Sequence, residues 1–126
     1  MEKQIITTTN APAPIGPYNQ AVKAGGLLFV SGQIALDPAT GELHAGDTAT
    51  ETKQVMKNIS AILKEAGADL GNIVKTTIFL SDMSLFAEVN EVYGSFFSKD
   101  FPARETVAVK GLPKNVNVEI SVTAVL

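Results

Sequence analysis

Residues Val116–Val125 read Val-Asn-Val-Glu-Ile-Ser-Val-Thr-Ala-Val, in which apolar and polar side chains alternate from Val116 to Ala124. Because successive side chains of a strand point to opposite faces of a sheet, this period of two predicts a β-strand with one apolar and one polar face. The polar face carries Glu119, Ser121 and Thr123, and such a face is too polar to form part of a core. If that face packs against a second copy of the chain, the protein is a homo-oligomer with clefts between its subunits, where ligand sites are common.

Five further stretches have the character of strands. They are Ile5–Thr8, Asn19–Lys23, Leu27–Ile34, Ile73–Leu80 and Thr106–Lys110. Gly25 and Gly26 predict a tight turn between two of them. With two helices included, the element order is β-β-β-α-β-α-β-β, which predicts a single α+β domain over residues 1–126 with both helices on one face of the sheet.

Two segments carry the 3.6-residue period of a helix with one apolar stripe. The first begins at Thr48-Ala49-Thr50-Glu51, a capping-box pattern, and Gly67 is placed to end it. The second opens near Asp82 or Ser84 and ends before Phe101-Pro102. The apolar stripes are Val55, Met56, Ile59, Ile62, Leu63 and Ala66 in the first helix, and Phe86, Val89, Tyr93, Phe96 and Phe97 in the second.

The composition excludes several classes of function. The chain of 126 residues has no cysteine, so disulfides, thiolate nucleophiles and cysteine metal sites are ruled out, and the single histidine, His44, does not suffice for a histidine zinc site. A net charge of −3 argues against a large nucleic-acid surface. Without cysteine or a second histidine, we expect no metal. We expect no membrane span, because no apolar run approaches about 18 residues, and a cytoplasmic location, because the first residues lack a secretory pattern.

Arg104 is the only arginine, and lysine supplies the other positive side chains. A guanidinium binds a carboxylate or phosphate through two parallel hydrogen bonds and stays charged, which lysine cannot match. Two interpretations stay open at this point. Arg104 is either a structural or surface charge, the commoner role for an exposed residue, or a clamp for a small anion.

Glu119 also has two interpretations. On the strand pattern it is an exposed residue of a solvated face, which is the commoner case. Alternatively it is a carboxyl in a cleft between subunits, where burial raises its pKa and suits it to acid–base work on water.

Four other residues are weaker candidates. Ser31-Gly32 interrupts an apolar strand, which indicates a β-bulge or a close approach of another backbone or a ligand. Tyr18 follows a Pro-rich loop and either packs or offers its hydroxyl to a ligand. Asn90 lies beside the apolar stripe of the second helix, either as a helix-edge polar residue or as an amide pointing at a cleft.

Several strings are informative together: Ala13-Pro14-Ile15-Gly16-Pro17-Tyr18, Phe29-Val30-Ser31-Gly32-Gln33-Ile34, Val89-Asn90 with Tyr93, Phe101-Pro102-Ala103-Arg104, and Leu112-Pro113-Lys114 followed by Val118-Glu119-Ile120. In order and spacing, over nearly the whole chain, they are similar to the RidA (YjgF-type) family of imine and enamine deaminases. The resemblance implies a chorismate-mutase-like subunit, a six-stranded mixed sheet with two helices on one face. It also implies a homotrimer with a central barrel and three active sites between neighbours.

The resemblance further implies hydrolysis of 2-iminobutanoate and 2-iminopropanoate to 2-keto acids and ammonia, without a metal or organic cofactor. Those imines are products of pyridoxal-phosphate-dependent threonine and serine dehydratases, which suggests a functional link to such enzymes. Imine hydrolysis is already easy in water, so positioning, a water molecule and help with proton movement would suffice.

Carried over by position, Arg104 and Glu119 would be the catalytic residues: Arg104 would clamp the substrate carboxylate, and Glu119 would orient or activate water. The cleft would be lined by Tyr18, Ser31, Gly32, Asn90 and Thr106. Many relatives carry cysteine where this chain has Thr106. One alternative function is a non-catalytic trimer that binds or senses small carboxylates. Another is an RNA-directed role, although the acidic pI of about 5.0 argues against it.

Overall fold

A computed structural model describes residues 2–44 and 46–126. The elements are β1 (Gln4–Ile6), β2 (Ala21–Ala24), β3 (Leu27–Gln33), α1 (Thr48–Glu65), β4 (Ile73–Leu80), α2 (Phe86–Gly94), β5 (Ala103–Ala108) and β6 (Val118–Val125). This is the element order that the sequence predicts. Short 3-10 turns precede β4, α2 and β6.

The strands form one mixed sheet in the order β1-β2-β3-β6-β4-β5. β4 and β5 run parallel, and the other neighbouring pairs are antiparallel. β6 therefore lies inside the sheet between β3 and β4, where a slip of one residue would turn every apolar side chain to the wrong face. The predicted turn between β2 and β3 is confirmed, with positive φ at Gly25 and Gly26.

The strand that carries Arg104 starts earlier than predicted. β5 runs Ala103–Ala108 instead of Thr106–Lys110, because its parallel pairing with β4 begins at Ala103, directly after Pro102. Arg104 thus lies inside a strand, with its side chain assigned to one face of the sheet. β6 is shorter than predicted and starts at Val118, after a 3-10 turn.

Of the other strands, β4 has the predicted bounds, and those of β1, β2 and β3 differ from the prediction by at most two residues. β1 ends at Ile6 because the backbone N–H and C=O of Thr8 bond to the side chain of Gln20 rather than to β2. β2 starts at Ala21 instead of Asn19, and β3 ends at Gln33 instead of Ile34.

The helix caps differ in part from the prediction. Asp47, not Thr48, caps α1, since its carboxylate accepts a hydrogen bond of 2.7 Å from the Thr50 N–H. The capping-box prediction is wrong, because the Glu51 carboxylate bonds to the start of β6 instead. Gly67 (φ 80°) follows the C-terminal cap, as predicted.

The second helix is shorter than its apolar stripe. α2 begins at Phe86, after a 3-10 turn capped by Asp82, and ends at Gly94. Phe96 and Phe97 therefore lie beyond the helix, where they pack against the core. No helix within residues 2–44 and 46–126 has the length and apolar character needed to cross a membrane.

Both helices pack on one face of the sheet, as predicted. The apolar side chains of β6 are buried there against the stripe of α1. On the same face, the Tyr93 hydroxyl of α2 donates a 2.9 Å hydrogen bond to the Thr76 hydroxyl of β4. We call this the covered face.

The opposite face, which we call the open face, is mixed in character. Lys75 and Glu105 form an ion pair of 3.0 Å there, and the Thr77 hydroxyl donates to the Glu105 carboxylate. Phe29 and Val107 are exposed on the same face. Water or another protein chain must therefore meet this surface.

Candidate functional site

Glu119 and Gly32 meet on the open face. β3 and β6 pair regularly up to Val30–Val122 and resume at Gln33–Ile120, so the predicted bulge at Ser31-Gly32 is confirmed. The Glu119 carboxyl lies across Gly32, since a Cβ built on that glycine would be only 2.8 Å from the carboxyl carbon. The glycine leaves the space that the carboxyl occupies.

A surface cavity of about 340 Å³ opens over this bulge. We call it the glutamate half-site; its lining residues are Ile15, Tyr18, Ser31, Gly32, Pro113 and Glu119. The cavity thus brings together four of the predicted site residues from a loop and two strands.

Two hydroxyl groups of the glutamate half-site are already engaged with backbone. The Tyr18 oxygen accepts a 3.3 Å hydrogen bond from the Ile15 N–H, which leaves its own proton available for a ligand. The Ser31 hydroxyl donates a 2.6 Å hydrogen bond to the Asn19 carbonyl. Ser31 therefore fixes the loop before β2, and only its lone pairs remain for a ligand.

A buried glutamine fixes the Pro-rich loop above the cavity. The Gln20 amide donates to the carbonyls of Ala11 and Pro12, at 3.2 Å and 2.9 Å, in addition to its bonds with Thr8. Buried polar groups are costly unless paired, so this network specifies one loop conformation. The loop then places Tyr18 beside Glu119.

Glu51 of α1 holds the strand that carries Glu119. Its buried carboxylate accepts hydrogen bonds from the N–H groups of Asn117 and Val118, at 2.7 Å and 3.0 Å, and from the Asn117 amide at 3.1 Å. Charge-assisted bonds of this kind are stronger than neutral ones. They fix the two residues directly before Glu119.

The local environment makes Glu119 harder to ionise. Burial raises the pKa of its carboxyl above the ordinary value of 4.5, and no hydrogen bond from a described residue offsets this effect. Glu119 is therefore nearer to the neutral form at physiological pH than an exposed glutamate, which suits proton transfer to and from water.

Arg104 lies on the covered face, beside α2. In β5 it pairs with Thr76, and its guanidinium carbon lies over the rings of Tyr93 and Phe86, 5.2 Å and 5.7 Å from their centroids. Neither ion pair found among residues 2–44 and 46–126 involves Arg104. Its charge thus meets aromatic faces but no carboxylate of a described residue.

Two predicted residues lie close to Arg104 in the fold. Thr106 is two residues further along β5 on the same face, and its buried hydroxyl oxygen has no hydrogen-bond partner among the described residues. Asn90 is exposed on α2, one turn from both Phe86 and Tyr93. We call Phe86, Asn90, Tyr93, Arg104 and Thr106 the arginine half-site.

The two half-sites do not meet within one chain. Arg104 pairs with Thr76 of β4, whereas Glu119 pairs with Phe79 of the same strand from its other side. Thr76 and Phe79 are three residues apart, so their side chains point to opposite faces. The Cα atoms of Arg104 and Glu119 are about 14 Å apart, because two strand spacings and three residues along the strands lie between them.

Some site residues escape prediction from the sequence. Ile15 and Pro113 line the glutamate half-site but were predicted for no role, although both lie in strings that carry the family resemblance. Phe86 and Tyr93 were predicted only as apolar stripe, and the structure places their rings under Arg104. Within residues 2–44 and 46–126, no group of three or more His, Cys, Asp or Glu side chains could hold a metal ion.

The fold and the two half-sites define a small α+β protein with an arginine and a partly desolvated glutamate on opposite faces of its sheet. The chain belongs to the RidA (YjgF-type) family. Residues 8–126 match the family model described as Endoribonuclease L-PSP.

Named relatives of similar length support this membership. A RutC family protein of Pyrococcus horikoshii is 52% identical over 122 residues, 97% of each chain. A Mus musculus protein named 2-iminobutanoate/2-iminopropanoate deaminase is 47% identical over 123 residues, 98% of this chain and 91% of the relative. The crystal structure of E. coli TdcF with bound serine superposes with a TM-score of 0.94 at 42% identity, covering 98% of each chain.

Proposed function

We propose that the chain is a deaminase that hydrolyses 2-iminobutanoate and 2-iminopropanoate to 2-keto acids and ammonia. The observation that carries this proposal is that the Arg104 guanidinium and the Glu119 carboxyl both lack a partner among the described residues. Arg104 has no carboxylate partner among the described residues, and the carboxyl of Glu119 has a raised pKa and no hydrogen bond. The substrates supply a carboxylate for the first group and need proton transfers from the second. Relatives with this named activity support the proposal.

The proposed reaction assigns one task to each group. Arg104 binds the substrate carboxylate through two hydrogen bonds. Water adds to the imine carbon, where a C–O bond forms, and a proton moves to the nitrogen. The hydroxyl proton of this adduct then moves to the nitrogen, the C–N bond breaks and ammonia leaves, which gives the keto group. Glu119 accepts and returns these protons, because a carboxyl with a pKa closer to neutrality can do both.

A complete site requires two copies of the chain, because one chain places its half-sites on opposite faces of its sheet. We therefore propose a homotrimer with its sites between neighbours. Large apolar side chains are exposed beside both half-sites, Ile15 at 59% in the loop over Glu119 and Phe101 at 61% just before β5. Burying them between subunits would stabilise such an assembly. The open faces would then line a central barrel.

The activity is tested with a threonine dehydratase that supplies the imine and with semicarbazide, which traps imine that has not been hydrolysed. The wild-type chain should speed release of the keto acid and suppress semicarbazone, and Arg104→Ala should suppress it far less. Arg104→Lys should also lose most activity, because an ammonium cannot replace the planar fork. If Arg104→Ala suppresses semicarbazone as well as wild type does, the role of Arg104 as a carboxylate clamp is wrong, and if wild type itself does not suppress it, the proposed activity is wrong.

The same preparation separates the proposal from a binding function. Tight binding of 2-ketobutyrate without turnover would identify a non-catalytic trimer that binds or senses small carboxylates. Thr106 gives a reason to test this alternative, since it stands where the resemblance implies a cysteine in many relatives. RNA binding that weakens with added salt would instead support an RNA-directed role.

A further inference from the structure

We infer that the rings of Phe86 and Tyr93 position Arg104 for its ligand, a role beyond the packing that their helical stripe predicts. The inference rests on the proposed function, because it concerns the same carboxylate clamp. Phe86 and Tyr93 do not themselves contact the substrate in this inference. They are positioning residues that act through the guanidinium.

The spacing of the two rings on α2 creates the support. Phe86 and Tyr93 are seven residues apart, two turns of the helix, so both project from the same side of α2 toward β5. The guanidinium carbon of Arg104 lies within 6 Å of both ring centroids, the range in which a cation is attracted to an aromatic face. One side chain thus contacts two rings that the helix holds apart at a fixed distance.

One of the rings is rigidly held. Tyr93 is buried, its hydroxyl is bonded to Thr76, and its ring packs against Phe97 with centroids 5.0 Å apart. Burial raises the pKa of Tyr93, so the ring stays a neutral phenol. Phe86 is the outer ring, with 36% of its surface exposed. Tyr93 therefore fixes the depth of the guanidinium, and Phe86 limits its movement toward solvent.

This support matters because a free arginine side chain has many rotamers. Ordering it on binding would oppose association with a small ligand, and a guanidinium that is ordered in advance avoids that loss. Aromatic faces attract the cation without using its N–H donors in hydrogen bonds to a carboxylate. An ion pair would also order Arg104 but would occupy those donors.

The test measures binding of 2-ketobutyrate to the assembled protein by calorimetry, and KM in the semicarbazide assay. Removing the exposed ring in Phe86→Leu should raise the dissociation constant about fivefold. KM should rise with little change in kcat, because the clamp holds substrate and transition state alike. Phe86→Tyr keeps a ring and should bind like wild type. Phe96→Leu is the matched control, since Phe96 packs against the core away from Arg104.

A double-mutant cycle shows whether the ring acts through Arg104. In an Arg104→Ala background, Phe86→Leu should have no further effect on binding. A fivefold effect that persists without the arginine, or an unchanged affinity in Phe86→Leu alone, would overturn the inference. Unchanged binding in Arg104→Ala alone would overturn the carboxylate clamp itself, so the two failures are distinguishable.

Discussion

The glutamate half-site and the arginine half-site are built by different means. Hydrogen bonds that the buried Gln20 side chain donates and the buried Glu51 carboxylate accepts hold the loop and the strand around Glu119. Aromatic rings on a helix support Arg104, which makes no ion pair with a described residue. The first half-site is a cavity on the open face, and the second lies at the edge of the covered face.

This difference supports the proposal that neither half-site acts alone. Each one leaves a charged or titratable group without a partner among the described residues, and the two groups are a permanent cation and a titratable carboxyl on opposite faces of the sheet. They can act on one small molecule only if the glutamate half-site of one copy meets the arginine half-site of another. The most direct tests separate the two half-sites and then recombine them.

The largest effect is expected from variants that remove one group from each half-site. Arg104→Ala and Glu119→Gln should each lower kcat/KM by about a hundredfold or more, since each removes a group to which the proposal assigns contact with the reacting molecule. Co-expression of the two variants should restore part of the activity, because some sites in mixed oligomers combine an intact arginine with an intact glutamate. Semicarbazone suppression by purified mixed oligomers measures the recovery.

The double variant, with both changes in one chain, is the control for this recovery. Co-expressed with either single variant, it forms no intact site, because every arginine or every glutamate in such an oligomer is substituted. If co-expressed single variants stay as inactive as either variant alone, the site does not draw on two copies.

A smaller effect is expected from Gly32→Ala, which changes only the glutamate half-site. The new methyl group would collide with the Glu119 carboxyl and displace it, so activity should fall about tenfold to a hundredfold. Stability should change by less than about 1 kcal/mol, because the end of a side chain can move. Gly111→Ala is the matched control, since nothing lies within 4 Å of a Cβ there. Urea unfolding and the semicarbazide assay together check both parts, and equal activity in the two variants would contradict the prediction.

The raised pKa of Glu119 predicts a pH-dependent stability that Arg104 cannot produce. A carboxyl whose pKa is higher in the folded state binds its proton more tightly there. Its contribution to stability is therefore present below the ordinary value of 4.5 and is lost as the pH rises through the raised pKa. Wild type should lose stability relative to Glu119→Gln over that window. Urea unfolding at a series of pH values measures the difference, and parallel curves for the two proteins would show that the pKa is not raised.

The smallest effect is expected from Thr106→Val, which changes the arginine half-site without moving Arg104. The Thr106 hydroxyl is buried with no partner among the described residues, so an isosteric valine should stabilise the chain by about 1 kcal/mol or less. Thr106→Ser keeps the hydroxyl and loses a methyl group, and it should be less stable than wild type. If thermal unfolding shows Thr106→Val to be less stable than wild type, the Thr106 hydroxyl has a hydrogen-bond partner in the assembled protein.

Much of the fold follows from short-range patterns. The alternation in Val116–Val125 and the stripe of α1 predicted a strand with one apolar face and a packed helix, because burial of one face imposes a period on the sequence. The errors came where a side chain bonds to a distant backbone group. Thr8 lies outside β1 because its backbone N–H bonds to the side chain of Gln20. The Glu51 carboxylate accepts a hydrogen bond at the start of β6 instead of capping its own helix. No local pattern reports such bonds.

The sequence by itself determined which residues are chemically unusual: a single arginine after Pro102-Ala103, a glutamate on a regular strand, and a glycine inside another. Only the tertiary structure decided where they lie. Parallel pairing of β5 with β4 sends Arg104 to the covered face, and antiparallel pairing of β6 with β4 sends Glu119 to the open face. The physical reason is that the face of a strand residue depends on its register with its neighbours, and register is set by contacts far apart in the chain.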